Sequence, residues 1–294
     1  MVKTLWMAMR PQSFLISAVS VSVGTSLAAL QISIDWTAFV MTLLGVIFLH
    51  GGANIINDYF DYCYEVDTAD GGESFAEQRV LVRGLLTPSQ VLAFGVGVYA
   101  LAIPIGVYLI YLRGLTILAL GVVGLITGVC YTARPVALKY KALGEVAVFI
   151  MFGPLMVSGA YFVQMAAFSP LAVWVSVPFG IFTALVLLAN NIRDVRFDGR
   201  AGIHTVATVL GGRRAKRVYQ FLIFAAYGLI AVMVVMGLLV PFALLTFLSL
   251  PLAFKLIRMF NSGLPVDGDA RTAQLDAIFG LLLIAGIQLQ RFIR

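Results

Sequence analysis

The sequence predicts an all-α membrane protein, with about nine transmembrane helices in one bundle that takes up the whole chain, residues 1–294. Three observations carry this expectation. Of the 294 residues, 61% are hydrophobic and only 12% are charged, more apolar surface than a water-soluble domain of this length can hide. The apolar residues come in runs close to the roughly 20 residues that carry a helix across a bilayer core. Within those runs polarity does not alternate, so helices rather than barrel strands satisfy the backbone.

Taken in order, the runs place spans at 13–32, 36–57, 90–112, 115–131, 145–165, 170–190, 218–239, 241–258 and 274–292. The first span has no small-residue cleavage site behind it, so it reads as a span and not as a removed signal. An odd number of spans puts the termini on opposite faces. With the N-terminus in the cytoplasm, all but three of the 20 Lys and Arg residues fall on the cytoplasmic side, Arg113, Arg291 and Arg294 being the exceptions. Positive residues collect on that side of membrane proteins, so the expected location is the cell membrane, multi-pass, N-terminus inside. The net charge of +6 therefore reports orientation and gives no reason to expect nucleic acid. Cys63 and Cys130 form neither a disulfide framework nor a metal-ligand spacing.

External connections such as Gln31–Asp35 and Gly237–Pro241 are short, whereas the cytoplasmic segments 58–89, 132–144 and 191–217 are long enough to cap the bundle. Nine of the 14 acidic residues lie within Asp58–Glu77 and Asp194–Asp198. The first cluster begins where span 2 reaches the cytoplasm and the second where span 6 does. Spans 1–4 and 5–8 thus look like two pseudo-repeated four-helix halves, each contributing one acidic motif to a shared site.

The first motif is Asn57-Asp58-Tyr59-Phe60-Asp61. On a helix continuing from span 2, Asn54, Asn57, Asp58, Asp61 and Glu65 recur at intervals of three and four and share one face. Like charges so placed need a positive partner. A group of oxygen ligands suits a hard cation, and magnesium takes one or two carboxylates together with waters and substrate phosphates. The second motif, Asn190-Asn191-Ile192-Arg193-Asp194, repeats the pattern with Asn191, Asp194 and Asp198 on one face. Its interleaved arginines suit phosphate oxygens, which a guanidinium binds in bidentate fashion. His50, one turn before Asn54, reads equally well as a hydrogen-bonded polar residue inside the bundle.

Both motifs resemble those of the UbiA superfamily of intramembrane prenyltransferases, and the likeness spans most of the chain. Arg10-Pro11 resembles that family's opening before span 1. Tyr131-Thr132-Ala133-Arg134-Pro135 through Lys139, Lys141 and Glu145 resembles its central loop, and Gly202, His204 and Thr205 the stretch after its second motif. Asn-Asn-x-Arg-Asp, with Asp67 ten residues after Asn57, looks most like the menaquinone branch, which transfers a polyprenyl chain to 1,4-dihydroxy-2-naphthoate. The ubiquinone branch usually has Asp where Glu65 stands, which leaves open whether Glu65 or Asp67 reaches the metal.

The resemblance implies a membrane enzyme of isoprenoid chemistry whose partners are a prenyl diphosphate, an aromatic acceptor and the bilayer. Two Mg2+ ions would bridge the diphosphate to Asn57, Asp58, Asp61, Glu65, Asp67, Asn191, Asp194 and Asp198. Arg10, Asn54, Arg79, Arg83, Lys139, Lys141, Asn190 and Arg193 would hold the diphosphate or the acceptor. Departure of diphosphate leaves an allylic carbocation that a π face stabilises, and Tyr131 is the candidate. Other acceptors within the same chemistry are 4-hydroxybenzoate and geranylgeranylglyceryl phosphate. A transporter of an organic ion would carry charge near mid-span, and these spans are almost free of it. Asp198-Gly199-Arg200 is only a fragment of the CDP-alcohol phosphotransferase pattern.

Overall fold

The structure is a computed structural model that describes residues 2–66, 80–263 and 266–289. The chain runs through α1 (Val2–Ala8), α2 (Phe14–Ala28), α3 (Trp36–Cys63), α4 (Pro88–Arg113), α5 (Thr116–Cys130), α6 (Gly144–Ile150), α7 (Met156–Met165) and α8 (Pro170–Arg200). It continues through α9 (Val206–Leu210), α10 (Gly212–Val235), α11 (Leu250–Ser262) and α12 (Gly268–Leu289). Among the described residues seven helical rods are long and apolar enough to span a bilayer: α3, α4, α6 with α7, α8, α10, the 3-10 segment Pro241–Ser249 with α11, and α12. The runs at 13–32 and 115–131 become the 15-residue helices α2 and α5.

The helices that carry the acidic motifs outrun the apolar core. α3 has 28 residues and α8 has 31, which at 1.5 Å per residue gives roughly 42 and 46 Å against a hydrocarbon core of about 30 Å. Both motifs are therefore helix, and the expected cap loops from 58 and from 191 are shorter than the apolar runs alone suggested.

Local chemistry accounts for the boundaries. The Asp35 carboxylate accepts from the Ala38 amide at 2.9 Å and starts α3. Thr87 and Gln90 form a reciprocal capping box around Pro88 at the start of α4. Pro154, which has no N–H to donate, sits inside a single wide π turn, Met151–Leu155, that joins α6 to α7.

The interior is built where α2, α7, α8, α10 and α12 meet. Its centre is aromatic: Phe182 and Phe279 lie 4.8 Å apart between ring centroids, and Tyr227 meets Phe279 edge-on at 5.3 Å. α3 and α4 pair to one side, with α1 against them through Ala8, Ile55, Val91 and Val98. The outward face stays apolar, as at Leu101, Ile103 and Val107 of α4, as expected of a multi-pass membrane protein with lipid around it. At the end away from the acidic motifs, Gln164 and Asp35 exchange hydrogen bonds at 3.0 and 3.1 Å, and Arg113 lies 3.8 Å from the Asp35 carboxylate. α2 and α7 each pack against both α3 and α8. They hold the two motif-bearing helices side by side as walls.

α8 comes close to the α6–α7 bend because Gly153 and Gly180 face each other. A Cβ on Gly153 would stand 2.8 Å from the Gly180 Cα and 2.8 Å from the Ser176 carbonyl, both backbone atoms with no room to yield. Gly153→Ala is expected to destabilise the protein by about 1–3 kcal/mol through overpacking. Gly97→Ala on α4, where a Cβ would meet nothing within 4 Å, is expected to be neutral or slightly stabilising. Thermal unfolding in detergent followed by tryptophan fluorescence checks the contrast; equal midpoints for the two variants would contradict this packing.

Candidate active site

The site is assembled around a burial problem at the end of α3. Asn57, Asp58 and Asp61 are 8%, 5% and 2% exposed, and a buried carboxylate is tolerated only when paired and hydrogen-bonded. The partners come from distant segments. Arg10, in the link between α1 and α2, forms an ion pair with Asp58. Lys139 reaches in from the turn Leu138–Tyr140, its Nζ 2.5 Å from Asp61 Oδ2 and 3.3 Å from Asn57 Oδ1. The Tyr140 hydroxyl donates to the other Asp61 oxygen, and Thr132 Oγ1 donates to Asn57 Oδ1 at 2.8 Å.

One turn below, the same face of α3 positions Arg10. The Asn54 amide donates to the Met9 carbonyl at 3.0 Å and to Ser13 Oγ at 3.2 Å, so it grips the chain on both sides of Arg10. Arg10 itself adopts φ 53°, a left-handed turn that this grip maintains. His50 is hydrogen-bonded to Ser17 at 2.8 Å and to Ser13 at 3.3 Å, which makes it a packing residue of the bundle.

The end of α8 forms the opposite wall. Asn191, 7% exposed, donates to Glu145 Oε1 at 2.9 Å across to the first turn of α6. Arg193 bridges its own helix to α12. It is bonded to both Asp194 oxygens at 3.1 Å, to Asn190 Oδ1, to Asp269 Oδ2 at 3.1 Å and to the Val266 carbonyl at 2.9 Å. Asp198 lies within electrostatic reach of Asp194, Lys139, Arg193 and Asp61, so the two acidic helix ends face one another with Lys139 between them. Tyr131 stands beside this group. It is buried close to the carboxylates of Glu145 and Asp61.

The structure thus gathers Arg10, Asn57, Asp58, Asp61, Tyr131, Lys139, Asn190, Asn191, Arg193, Asp194 and Asp198 at one end of the bundle, with Asn54 supporting them from below. It does not bring Glu65 or Lys141 to the same place. The helix carrying the first motif stops at Cys63, and Glu65 turns out at φ 56° to an exposed position, so it leaves the face shared by Asn54, Asn57, Asp58 and Asp61. Lys141 donates to the Pro135 carbonyl at 2.7 Å, and Arg83 is exposed before α4. Asp67 and Arg79 lie outside the described residues.

Four residues around the site were not among the candidates drawn from the sequence: Thr132, Tyr140 and Glu145, which the sequence placed only in the central loop, and Asp269. Glu145 left a local trace as an acid in a helix's first turn, and Asp269 as an acid in the connection before the last span. Among the described residues, no three acidic, His or Cys groups converge as a ready-made metal cage. Carboxylates instead stand on two walls with cations interleaved. Such a cleft suits an anion that brings ligands of its own, and the all-oxygen donor set fits a hard divalent cation held jointly with phosphate.

Residues 17–274 match the model of the UbiA prenyltransferase family. "UbiA prenyltransferase domain-containing protein 1" of Danio rerio is 33% identical over 288 residues, covering 96% of this chain and 82% of the relative. "1,4-dihydroxy-2-naphthoate octaprenyltransferase" of Bacillus subtilis (strain 168) is 28% identical over 292 residues, covering 98% and 93%. Among solved structures, a UbiA homolog from Archaeoglobus fulgidus bound to DMAPP and Mg2+ superposes with a TM-score of 0.68 at 16% identity, covering 96% of this chain and 99% of that one.

Asn191→Leu removes the hydrogen bond to the buried Glu145 carboxyl and is expected to cost about 1–3 kcal/mol. The double change Asn191→Leu with Glu145→Leu replaces both polar partners and is expected to recover most of that loss. Unfolding midpoints of the two single variants and the double variant check this; strict additivity would show that the pair is not coupled.

Proposed function

Since the chain belongs to the UbiA prenyltransferase family, we propose that it transfers a polyprenyl group from an allylic diphosphate to 1,4-dihydroxy-2-naphthoate, the prenylation step of menaquinone formation. That it is a prenyltransferase acting on a prenyl diphosphate follows from the family; the acceptor is the further step. The observation that carries the reading is the cleft itself: two acidic helix ends, Asp58 with Asp61 and Asp194 with Asp198, facing one another with Lys139 between. The paired asparagines with Arg193, and the likeness to the Bacillus relative named for this acceptor, favour the naphthoate.

The residues divide the work. Asp58, Asp61, Asp194 and Asp198, with the amide oxygens of Asn57 and Asn191, would hold two Mg2+ ions against the diphosphate, and Asp67 remains a candidate beyond the helix end. Metal held by these residues would neutralise the charge that develops on the leaving group. Arg10, Lys139 and Arg193 now neutralise carboxylates, and each can turn its donors to phosphate oxygens as the anion arrives. The bond between the allylic carbon and the diphosphate oxygen breaks with its electron pair going to oxygen. Tyr131 offers a π face beside the cation. A ring carbon of the acceptor then gives its π pair to the new C–C bond, and the aromatic ring is restored as that carbon loses its proton or its carboxyl group as CO2.

In the membrane, we place the N-terminus and this cleft on the cytoplasmic face, with α2 and α5 completing nine spans of a single bundle in two pseudo-repeated halves. The concentration of Lys and Arg supports that orientation.

Asp58→Asn, Asp61→Asn and Asp194→Asn are each expected to lower turnover at least 100-fold, a magnitude of roughly the size seen when an electrostatic stabiliser is lost, while the far-UV circular dichroism is unchanged. Magnesium-dependent binding of a non-hydrolysable prenyl thiodiphosphate, undiminished in all three variants, would refute the metal-bridged arrangement. Acceptor choice is read by incubating the purified protein with radiolabelled geranylgeranyl diphosphate and each of 1,4-dihydroxy-2-naphthoate, 4-hydroxybenzoate and geranylgeranylglyceryl phosphate, with and without EDTA. Labelled product with the naphthoate, abolished by EDTA, is expected; product only with another acceptor would overturn the assignment.

A further inference from the structure

On the side of α8 turned away from the acidic cleft, the same end of the bundle carries a second cavity of about 600 Å3 between α8, α10 and α11. Its wall contains Arg196, Arg213, Lys216 and Arg217, with Gln220 and Asn261 below them, and no carboxylate. Among the described residues, Arg196, Arg213 and Arg217 form no ion pair, in contrast to Arg10, Lys139 and Arg193 in the cleft. Lys216 is held in place by the last carbonyls of α11, its Nζ 2.5 Å from Phe260 O and 2.8 Å from Gly263 O, which uses two of its three donors. The floor is the Gln220–Asn261 amide pair at 2.6 Å. One turn deeper, Phe224 and Phe254 meet at 5.7 Å, and with Phe221 they form an exposed apolar strip, 71% exposure at Phe221.

Down α10 the order is cation, amide, aromatic. This is the order of polarity in one leaflet of a bilayer: phosphate, ester carbonyl, acyl chain. Basic pockets between membrane helices at that depth bind anionic headgroups. We propose that this cavity binds the phosphate headgroup of an anionic phospholipid, with Arg196, Arg213, Lys216 and Arg217 around the phosphate and an acyl chain along Phe221, Phe224 and Phe254. The site is separate from the prenyl transfer chemistry, and its test does not require turnover.

The full chain is reconstituted in nanodiscs of phosphatidylcholine, with or without phosphatidylglycerol, and lipids retained on release are counted by native mass spectrometry. The wild type is expected to retain phosphatidylglycerol in preference to phosphatidylcholine and to melt at higher temperature with it. The double variant R213Q/R217Q is expected to lose roughly thirty-fold of that preference, the effect of two interfacial cations. The charge-matched double variant R214Q/R258Q, which changes basic residues outside the cavity, is expected to keep it. Equal losses in the two double variants would overturn the proposal in favour of a diffuse field, as would no preference in the wild type. Inorganic diphosphate added to phosphatidylcholine discs tests a free anion as the ligand. R213Q/R217Q-sensitive binding of it, without retention of phosphatidylglycerol, would also overturn the lipid assignment.

Discussion

Two carboxylates buried at the end of one helix set the terms for much of this molecule. Asp58 and Asp61 are almost wholly withdrawn from solvent, and neither can be paid for by its own helix, whose neighbouring turns supply acids and amides but no cation. The neutralising charge arrives from Arg10, 48 residues away, and from Lys139, 78 residues away. Each of these has to be delivered by a chain segment that bends for the purpose. The left-handed turn at Arg10 is held by Asn54, and the short turn around Lys139 is held by hydrogen bonds from Tyr140 and Thr132 back to α3. The contacts that preorganise the site therefore also fasten the amino-terminal helix and the central loop to the bundle.

The second wall follows a different logic. α8 is long, continuous and deep in the aromatic interior through Phe179, Phe182 and Leu185, so its far end is aimed by a rigid rod. Sites on such elements hold geometry better than sites on loops. Its polar end is braced twice, by Glu145 of α6 on Asn191 and by Asp269 of α12 on Arg193. The close approach at Gly153 and Gly180 belongs to the same design, because it sets how near α6 and α8 can come and so whether Glu145 reaches Asn191.

What the sequence disclosed and what it withheld divide along contact range. Apolar runs and acids at three- and four-residue spacing are local patterns, and seven membrane-length helices and the helical faces of the two motifs were legible from them. Chain ends of helices were less so. α3 stops at Cys63, which removes Glu65 from the ligand face, and no capping signal there gave warning. Apolar length gave the crossing segment of α8 but not its polar extension to Arg200. Thr132, Tyr140, Glu145 and Asp269 act across separations of 75, 79, 46 and 76 residues. Such pairings leave no periodic trace. The resemblance of the central loop to a known family located Lys139 but could not separate it from Lys141, whose ammonium turns back to its own loop.

α8 also divides the charge of this end of the protein into two kinds. Asp194 and Asp198, four residues apart, are members of one face, while Val195 and Arg196 look to the other side. On the cleft side each cation already has a carboxylate, so its donors are oriented before any ligand arrives, and the carboxylates outnumber the cations; electrostatic stabilisation is strongest where no reorganisation is needed. On the outer side Arg196, Arg213 and Arg217 are uncompensated by any described carboxylate, and their field extends toward the apolar strip at Phe221. Cations already paired with carboxylates would exchange partners if a diphosphate entered with its metal, whereas unpaired ones would take their counter-charge from the surroundings. At the boundary of a bilayer, the surroundings are headgroups. The unpaired positive charge of Arg196, Arg213 and Arg217 is thus held apart, by a single helix, from the paired charge of the cleft.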